Sequence, residues 1–506
     1  MKKREVTRGT VFIAAQNAVQ FLINVLFLMV LTRILPKSEI GSISALTFSF
    51  TFFMTVSDLS LPTATAKFIS EHLGAGDPYE ASAVLVAARK YALIFSTACL
   101  VIAFLLSERF SILVWGTGGR QFVFIAVFIA SYISVIRNIY LGCMRGLSLF
   151  GKYAASVIAV IAFGRAVAIF LAWSGFGVLG VMVGWLAGEV LGLALSIWFC
   201  RGQLPEPKNT YSLKKLFDFS WPVQVETVIS TLADWSDQIL LLAATSDLVM
   251  LGTYFICVRG AASLSIIWLA FSATVMPTLS GLYGESGKSR LTGALKVALR
   301  YLLLLLFPAA LGLAVLSRTA MVLLGGSSYE VGALSLSILA LGSVLQAVAY
   351  VFMSALNAIA ETRAFVKIGL ANMVTDIFLV LLLAPRLGIL GASIARVGMW
   401  VVYFILMLNT LKRHIRIEFD WVAIWKSGLS SIIMAASVWL LDNLSIGLVP
   451  NTVLRIGIDL CSGVLVYGIL LLLLRTLEPE DFSLLRSLLP QRLHGVLSFL
   501  EHPAST

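Results

Sequence analysis

The chain has 506 residues, 59% of them hydrophobic and 12% charged, with a formal net charge of +11. A mean hydropathy of +0.95 excludes a water-soluble globular domain, which could not hide so much apolar surface in a core. The surplus of Lys and Arg reads as a membrane-topology signal and a match to anionic lipid heads, so no nucleic-acid partner is expected.

Apolar runs of about 20 residues, the length that crosses a bilayer, follow one another along the chain. They predict fourteen helices at 10–32, 42–66, 84–106, 121–142, 153–173, 178–200, 219–244, 249–277, 297–317, 332–356, 364–384, 388–411, 424–442 and 453–475. The expected fold class is an all-α polytopic membrane protein; the short alternating segments of a membrane barrel do not occur. The first helix is too long for a signal-peptide core and carries amides, so it is expected to stay. Basic residues gather at Met1-Lys2-Lys3-Arg4 and at Arg201, Lys208, Lys214 and Lys215. That bias puts both termini in the cytoplasm.

In chain order, the first helix carries Asn17, Gln20 and Asn24 on one face, together with Thr10. Asp58 closes the second helix before Leu59-Ser60-Leu61-Pro62; it either binds a coupling cation or caps the chain at the break. The seventh helix carries Glu226, Ser230, Asp234 and Asp237 as a single polar stripe. Arg165, Arg259 and Arg396 are read as intramembrane cations. Each must face protein or water, and Arg259 and Arg396 either grip phosphate oxygens or pair with acids such as Glu226, Asp237 or Glu189.

Shifting the chain by about 211 residues aligns its halves, as expected of a parallel repeat related by an axis along the membrane normal. Ile40-Gly41 meets Leu251-Gly252, and Gly177-Val178-Leu179-Gly180 meets Gly388-Ile389-Leu390-Gly391. The expected organisation is a six-helix bundle over 1–205, a second over 206–415, two additional helices over 416–478 and an amphipathic cytoplasmic tail over 479–506. Two bundles flanking a cleft suit alternating access. Arg165 and Asp376 are equivalent at this offset, and either bridge the bundles as a gate or find local partners.

Other signals fail. Gly281 to Ser289 looks like a phosphate loop but has Leu282 where a glycine is required. No metal cluster or catalytic set emerges, so an enzyme is not expected. The five cysteines lie in or beside apolar spans and read as packing residues.

The residues carry a family resemblance. Leu31-Thr32-Arg33-Ile34-Leu35-Pro36 through Gly41 resembles the helix 1–2 junction of polysaccharide flippases in the multidrug/oligosaccharidyl-lipid/polysaccharide exporter superfamily. Asp58-Leu59-Ser60-Leu61 is similar to their second helix, with Ser60 in place of a customary glycine. Gly142-Cys143-Met144-Arg145-Gly146 resembles their helix 4–5 turn, and Asp237 with Gly252 and Tyr254 the opening of their second bundle. Asn357-Ala358 and Pro385-Arg386-Leu387-Gly388 through Ala395 resemble their helix 10–12 segment, and Arg396 departs from the small polar residue usual next. The motif positions that carry over are Arg33, Asp58, Arg145 and Asp237.

The resemblance implies a plasma-membrane flippase that turns a polyprenyl-(pyro)phosphate-linked oligosaccharide from the cytoplasmic to the outer leaflet. Arg259, Arg165, Arg396, Asn17, Gln20 and Asn24 would line the substrate pathway. Asp58, Glu226, Asp234, Asp237 and Asp376 would serve ion coupling or gating. It implies no cofactor, with Na+ or H+ as candidate coupling ions. Its implied partners are membrane lipids and polymerase or glycosyltransferase machinery. The rival reading is a cation-coupled multidrug exporter of the same superfamily.

Overall fold

The structure, a computed structural model, describes residues 3–269, 291–359, 364–445 and 451–477 and positions 271, 275, 279, 281, 282, 361 and 481, with side chains from Phe12 onward. The protein is all-α, with no strand among the described residues.

The helices are α1 (Lys3–Ile34), α2 (Lys37–Asp58), α3 (Leu61–Gly74), α4 (Pro78–Trp115), α5 (Gln121–Gly146), α6 (Phe150–Leu171), α7 (Gly177–Cys200) and α8 (Leu213–Thr245). They continue as α9 (Leu248–Ala261), α10 (Leu291–Val315), α11 (Ser317–Gly325), α12 (Ala333–Ala358), α13 (Ala364–Leu387), α14 (Ile389–Lys412), α15 (Trp421–Ser445) and α16 (Thr452–Leu473). Among the described residues, twelve stretches are long and apolar enough to cross a membrane, and one of them, Phe150–Cys200, holds both α6 and α7. The stripe-bearing α8, which carries Lys214, Lys215, Asp218, Glu226, Asp234 and Asp237, is not one of the twelve.

Local chemistry sets the breaks between helices. Leu59 and Ser60 take left-handed backbone angles, φ 50° and 51°, and the Asp58 carboxylate accepts the Ser60 amide at 2.8 Å. That bond ends α2 and lets α3 begin on Pro62. Asp77 caps α4 by accepting from the amides of Tyr79 and Glu80 at 3.1 and 3.0 Å.

The chain divides into two compact units, the first formed by 1–256 with 365–396 and the second by 257–364 with 397–506. Both turn apolar side chains outward, as a bilayer solvent demands: Leu105 and Trp173 in the first are 78% and 75% exposed, Val464 and Leu473 in the second 72% and 71%. Small hydroxyls point inward and join helices. Ser156 meets Ser196 at 2.9 Å in the first unit. In the second, Tyr467 donates to the Leu304 carbonyl at 2.7 Å and meets Ser427 at 2.8 Å.

Within the first unit, α2 and α9 approach so closely that only glycine fits. A Cβ at Gly41 would lie 1.9 Å from the Leu248 carbonyl oxygen, and one at Gly252 2.4 Å from that of Lys37. These two glycines are mates under the expected repeat.

Candidate functional site

The polar interior of the first unit is organised by α8. One face of this helix is stitched to α2 and the break after it: Gln224 donates to the Thr55 carbonyl at 2.7 Å and accepts from Ser60 at 2.9 Å, and Gln238 accepts from Ser44 at 2.8 Å. The acidic stripe turns the other way, and the structure splits it into two chemically different sets.

Asp237 is fully buried. Its two oxygens accept Arg396 Nε at 2.6 Å and Nη2 at 2.8 Å, a bidentate charge-assisted pair. The Tyr254 hydroxyl also donates to Asp237. Arg396 reaches the Asp234 carbonyl with Nη2 at 2.5 Å. Asp376, on α13 and 1% exposed, accepts from Ser236 at 2.5 Å. Its second oxygen is buried and has no hydrogen-bond partner among the described residues. Asp234 and Glu226, by contrast, keep exposed side chains. One guanidinium and two aspartates from α8, α13 and α14 therefore converge, while two acids of the same stripe stay accessible.

The second polar group of this unit lies among α1, α2, α5, α6 and α7. The Arg165 guanidinium is sandwiched between the rings of Phe27 and Trp185, 4.5 and 4.7 Å from their centroids. It borders a cavity of about 210 Å3 lined also by Thr47, Thr51 and Glu189. Glu189 pairs with Arg137 at 2.8 Å. On α1, Gln16 donates to Gln20 at 2.8 Å; Asn17 is exposed, and Gln20 and Asn24 are half-buried.

Several expectations meet different neighbours. Arg165 stacks on aromatic rings and Asp376 bonds Ser236, so each of these repeat mates has local partners. Asp58 is the cap of the α2–α3 break. Arg259, on α9, belongs to the second unit and has an exposed side chain. The phosphate-loop lookalike beyond Leu282 and the amphipathic tail, Asp481 excepted, lie outside the described residues, as does the Thr10 side chain.

Among the arginines that lie within its own expected spans, sequence reasoning missed three that pair with acids. Arg137 pairs with Glu189. Arg300 binds Asp481 at 2.7 Å and the Thr476 carbonyl at 3.1 Å, and Arg455 binds Asp442 at 3.1 Å. The signal was present: each is a cation in an apolar run, which requires a partner. Gln16, one residue before Asn17, belongs to the same amide group.

A sequence model of the family described as "Polysaccharide biosynthesis protein" matches residues 6–283, and that of "Lipid II flippase MurJ" matches residues 147–458. The chain is 24% identical over 305 residues to the probable low-salt glycan biosynthesis flippase Agl15 of Haloferax volcanii, covering 60% of this chain and 64% of that protein. It therefore spans less than two thirds of that relative's length. Among solved structures, the lipid II flippase MurJ in an inward closed conformation superposes with a TM-score of 0.73 at 15% identity, covering 91% of this chain and 98% of that one. An inward-facing multidrug resistance MATE family transporter of the MOP superfamily gives 0.61 at 17% identity, covering 78% and 96%. Both likenesses speak to the fold.

Proposed function

The chain belongs to the polysaccharide biosynthesis protein family and to that of the lipid II flippase MurJ, and from that membership we propose that it flips a lipid-linked oligosaccharide. The observation that carries this reading is the pair of overlapping family matches, which together run from residue 6 to residue 458. The cargo is a polyprenyl-(pyro)phosphate-linked sugar, turned from the cytoplasmic to the outer leaflet by alternating access. The protein is a multi-pass membrane protein; its membrane is the plasma membrane and both termini are cytoplasmic.

The physical task is to carry a charged phosphate and a coat of hydroxyls past hydrocarbon. An isolated ion in such a medium is prohibitive without paired charge and hydrogen bonds. Arg165, lining a cavity and held near two rings, and Arg259, exposed on α9, suit phosphate oxygens. Arg396 is already engaged by Asp237 on two atoms, so it shapes the site rather than gripping cargo in this conformation. Asn17, Gln20 and Asn24 stand in for water around sugar hydroxyls. The prenyl chain stays in the bilayer, where its transfer costs nothing.

Glu226 and Asp234, accessible where Asp237 is buried, are the stripe's groups for coupling to Na+ or H+. They are also what a cation-coupled drug exporter would use. The exporter reading is the weaker one, because the matching family models are those of polysaccharide biosynthesis and of a lipid II flippase.

The test is leaflet exchange in liposomes containing the purified protein and a panel of polyprenyl-diphosphate sugars. Protein-dependent exchange of at least one is expected. Exchange no faster than in protein-free vesicles for the whole panel, with transport of cationic drugs instead, would overturn the reading.

A further inference from the structure

A second buried charge cluster lies in the other compact unit, on helices that the transport reading does not use. The end of α15 supplies Asp442, α16 supplies Arg455 and Asp459 one turn apart, and the short α11 supplies Thr319. Arg455 Nε lies 3.1 Å from Asp442 Oδ1, and its Nη2 reaches Thr319 Oγ1 at 3.3 Å. Thr319 lies 3.0 and 3.2 Å from the two Asp442 oxygens. Asp442 is thereby satisfied by a cation and a hydroxyl.

Asp459 is not. It is 1% exposed, and both its carboxyl oxygens are buried without a hydrogen-bond partner among the described residues. It lies one turn from Arg455, the cation that holds Asp442, so both acids draw on the same guanidinium. The neighbouring Arg318 is turned away, 64% exposed and 2.7 Å from Glu330.

The charges do not balance if both acids are ionised: two carboxylates face one guanidinium. An uncompensated buried carboxylate is far too costly to persist, and two carboxyl groups sharing one guanidinium disfavour each other's ionisation. One positive charge is missing. A metal cation would need a cage of oxygen donors, whereas this cluster offers two carboxyl groups and a hydroxyl already committed to one of them. A proton needs only the gap between Asp459 and Asp442.

We infer that Asp459 binds a proton and donates it in a hydrogen bond to Asp442, which gives α15 and α16 a proton-binding site of their own. The proton closes the contact between the two helices, and its loss leaves like charges facing each other there. The site is independent of the flippase reading and stands or falls without it.

The experiment is infrared difference spectroscopy on the full-length protein in lipid nanodiscs. In the wild type minus D459N spectrum, a carbonyl-stretch band of a protonated carboxylic acid is expected at neutral pH, lost on alkaline titration. D442N removes the same band, because the new amide donates to an ionised Asp459. A difference spectrum without that band, or a D442N protein that keeps it, would overturn the proposal. If D459N does not fold, the wild type minus D442N spectrum decides by the same criterion.

Discussion

Arg396 holds Asp237 through Nε at 2.6 Å and Nη2 at 2.8 Å, and the acid it holds is completely buried. The two residues lie 159 positions apart, on α14 and α8, so the pair pins two distant segments of one compact unit. Buried ion pairs gain little over an apolar replacement, but removing one partner strands the other charge in a medium that cannot solvate it.

Arg396→Ala is therefore expected to destabilise the protein by about 3–5 kcal/mol, read as a fall in the thermal midpoint in detergent. The double variant R396A/D237N removes both charges and recovers a large part of that loss. Equal stability of R396A and wild type would show that Asp237 finds another cation.

The close approach of α2 and α9 gives a steric prediction. Gly41→Ala puts a methyl 1.9 Å from the Leu248 carbonyl oxygen, a backbone atom that cannot step aside. Overpacking of this kind costs about 1–3 kcal/mol or forces the helices apart, and lower folded yield is expected by fluorescence-detected size exclusion. Gly293→Ala is the matched control, since a Cβ there meets nothing within 4 Å. A wild-type profile for G41A would mean the helices separate freely at this point.

Lipid solvent and helix breaks were legible because their causes are local. Long apolar runs signal membrane crossing, and Asp58 before Ser60 and Pro62 announces a cap. The α8 stripe was visible too, since 100° per residue places Glu226, Asp234 and Asp237 together. Which of those acids is neutralised was not legible, because the answer depends on where Arg396 arrives from another helix. The same holds for Glu189, which pairs with Arg137 on α5, and for Asp459, whose environment depends on α11 and α15. Periodicity fixes the face of a helix; it carries no information about the neighbour's face.

Arg165 tests the substrate pathway. Held between Phe27 and Trp185 beside the 210 Å3 cavity, its flat guanidinium is positioned by stacking that a lysine ammonium does not reproduce. Both Arg165→Ala and Arg165→Lys are expected to slow leaflet exchange by about tenfold or more, equivalent to ~1.4 kcal/mol, with thermal midpoints close to wild type. Unchanged exchange in both variants would remove Arg165 from the pathway.

The division of the acidic stripe makes a final prediction about coupling. Asp237 is committed to Arg396 and Tyr254, so substituting it disturbs folding before it reports on ions. Glu226 and Asp234 are exposed, and neutral amides there remove charge without stranding a buried partner. In liposomes with an imposed Na+ or H+ gradient, the wild type is expected to exchange cargo faster with one gradient than with none. E226Q/D234N is expected to keep its thermal midpoint and basal exchange while losing that acceleration. Acceleration undiminished in the double variant would move the coupling site away from α8.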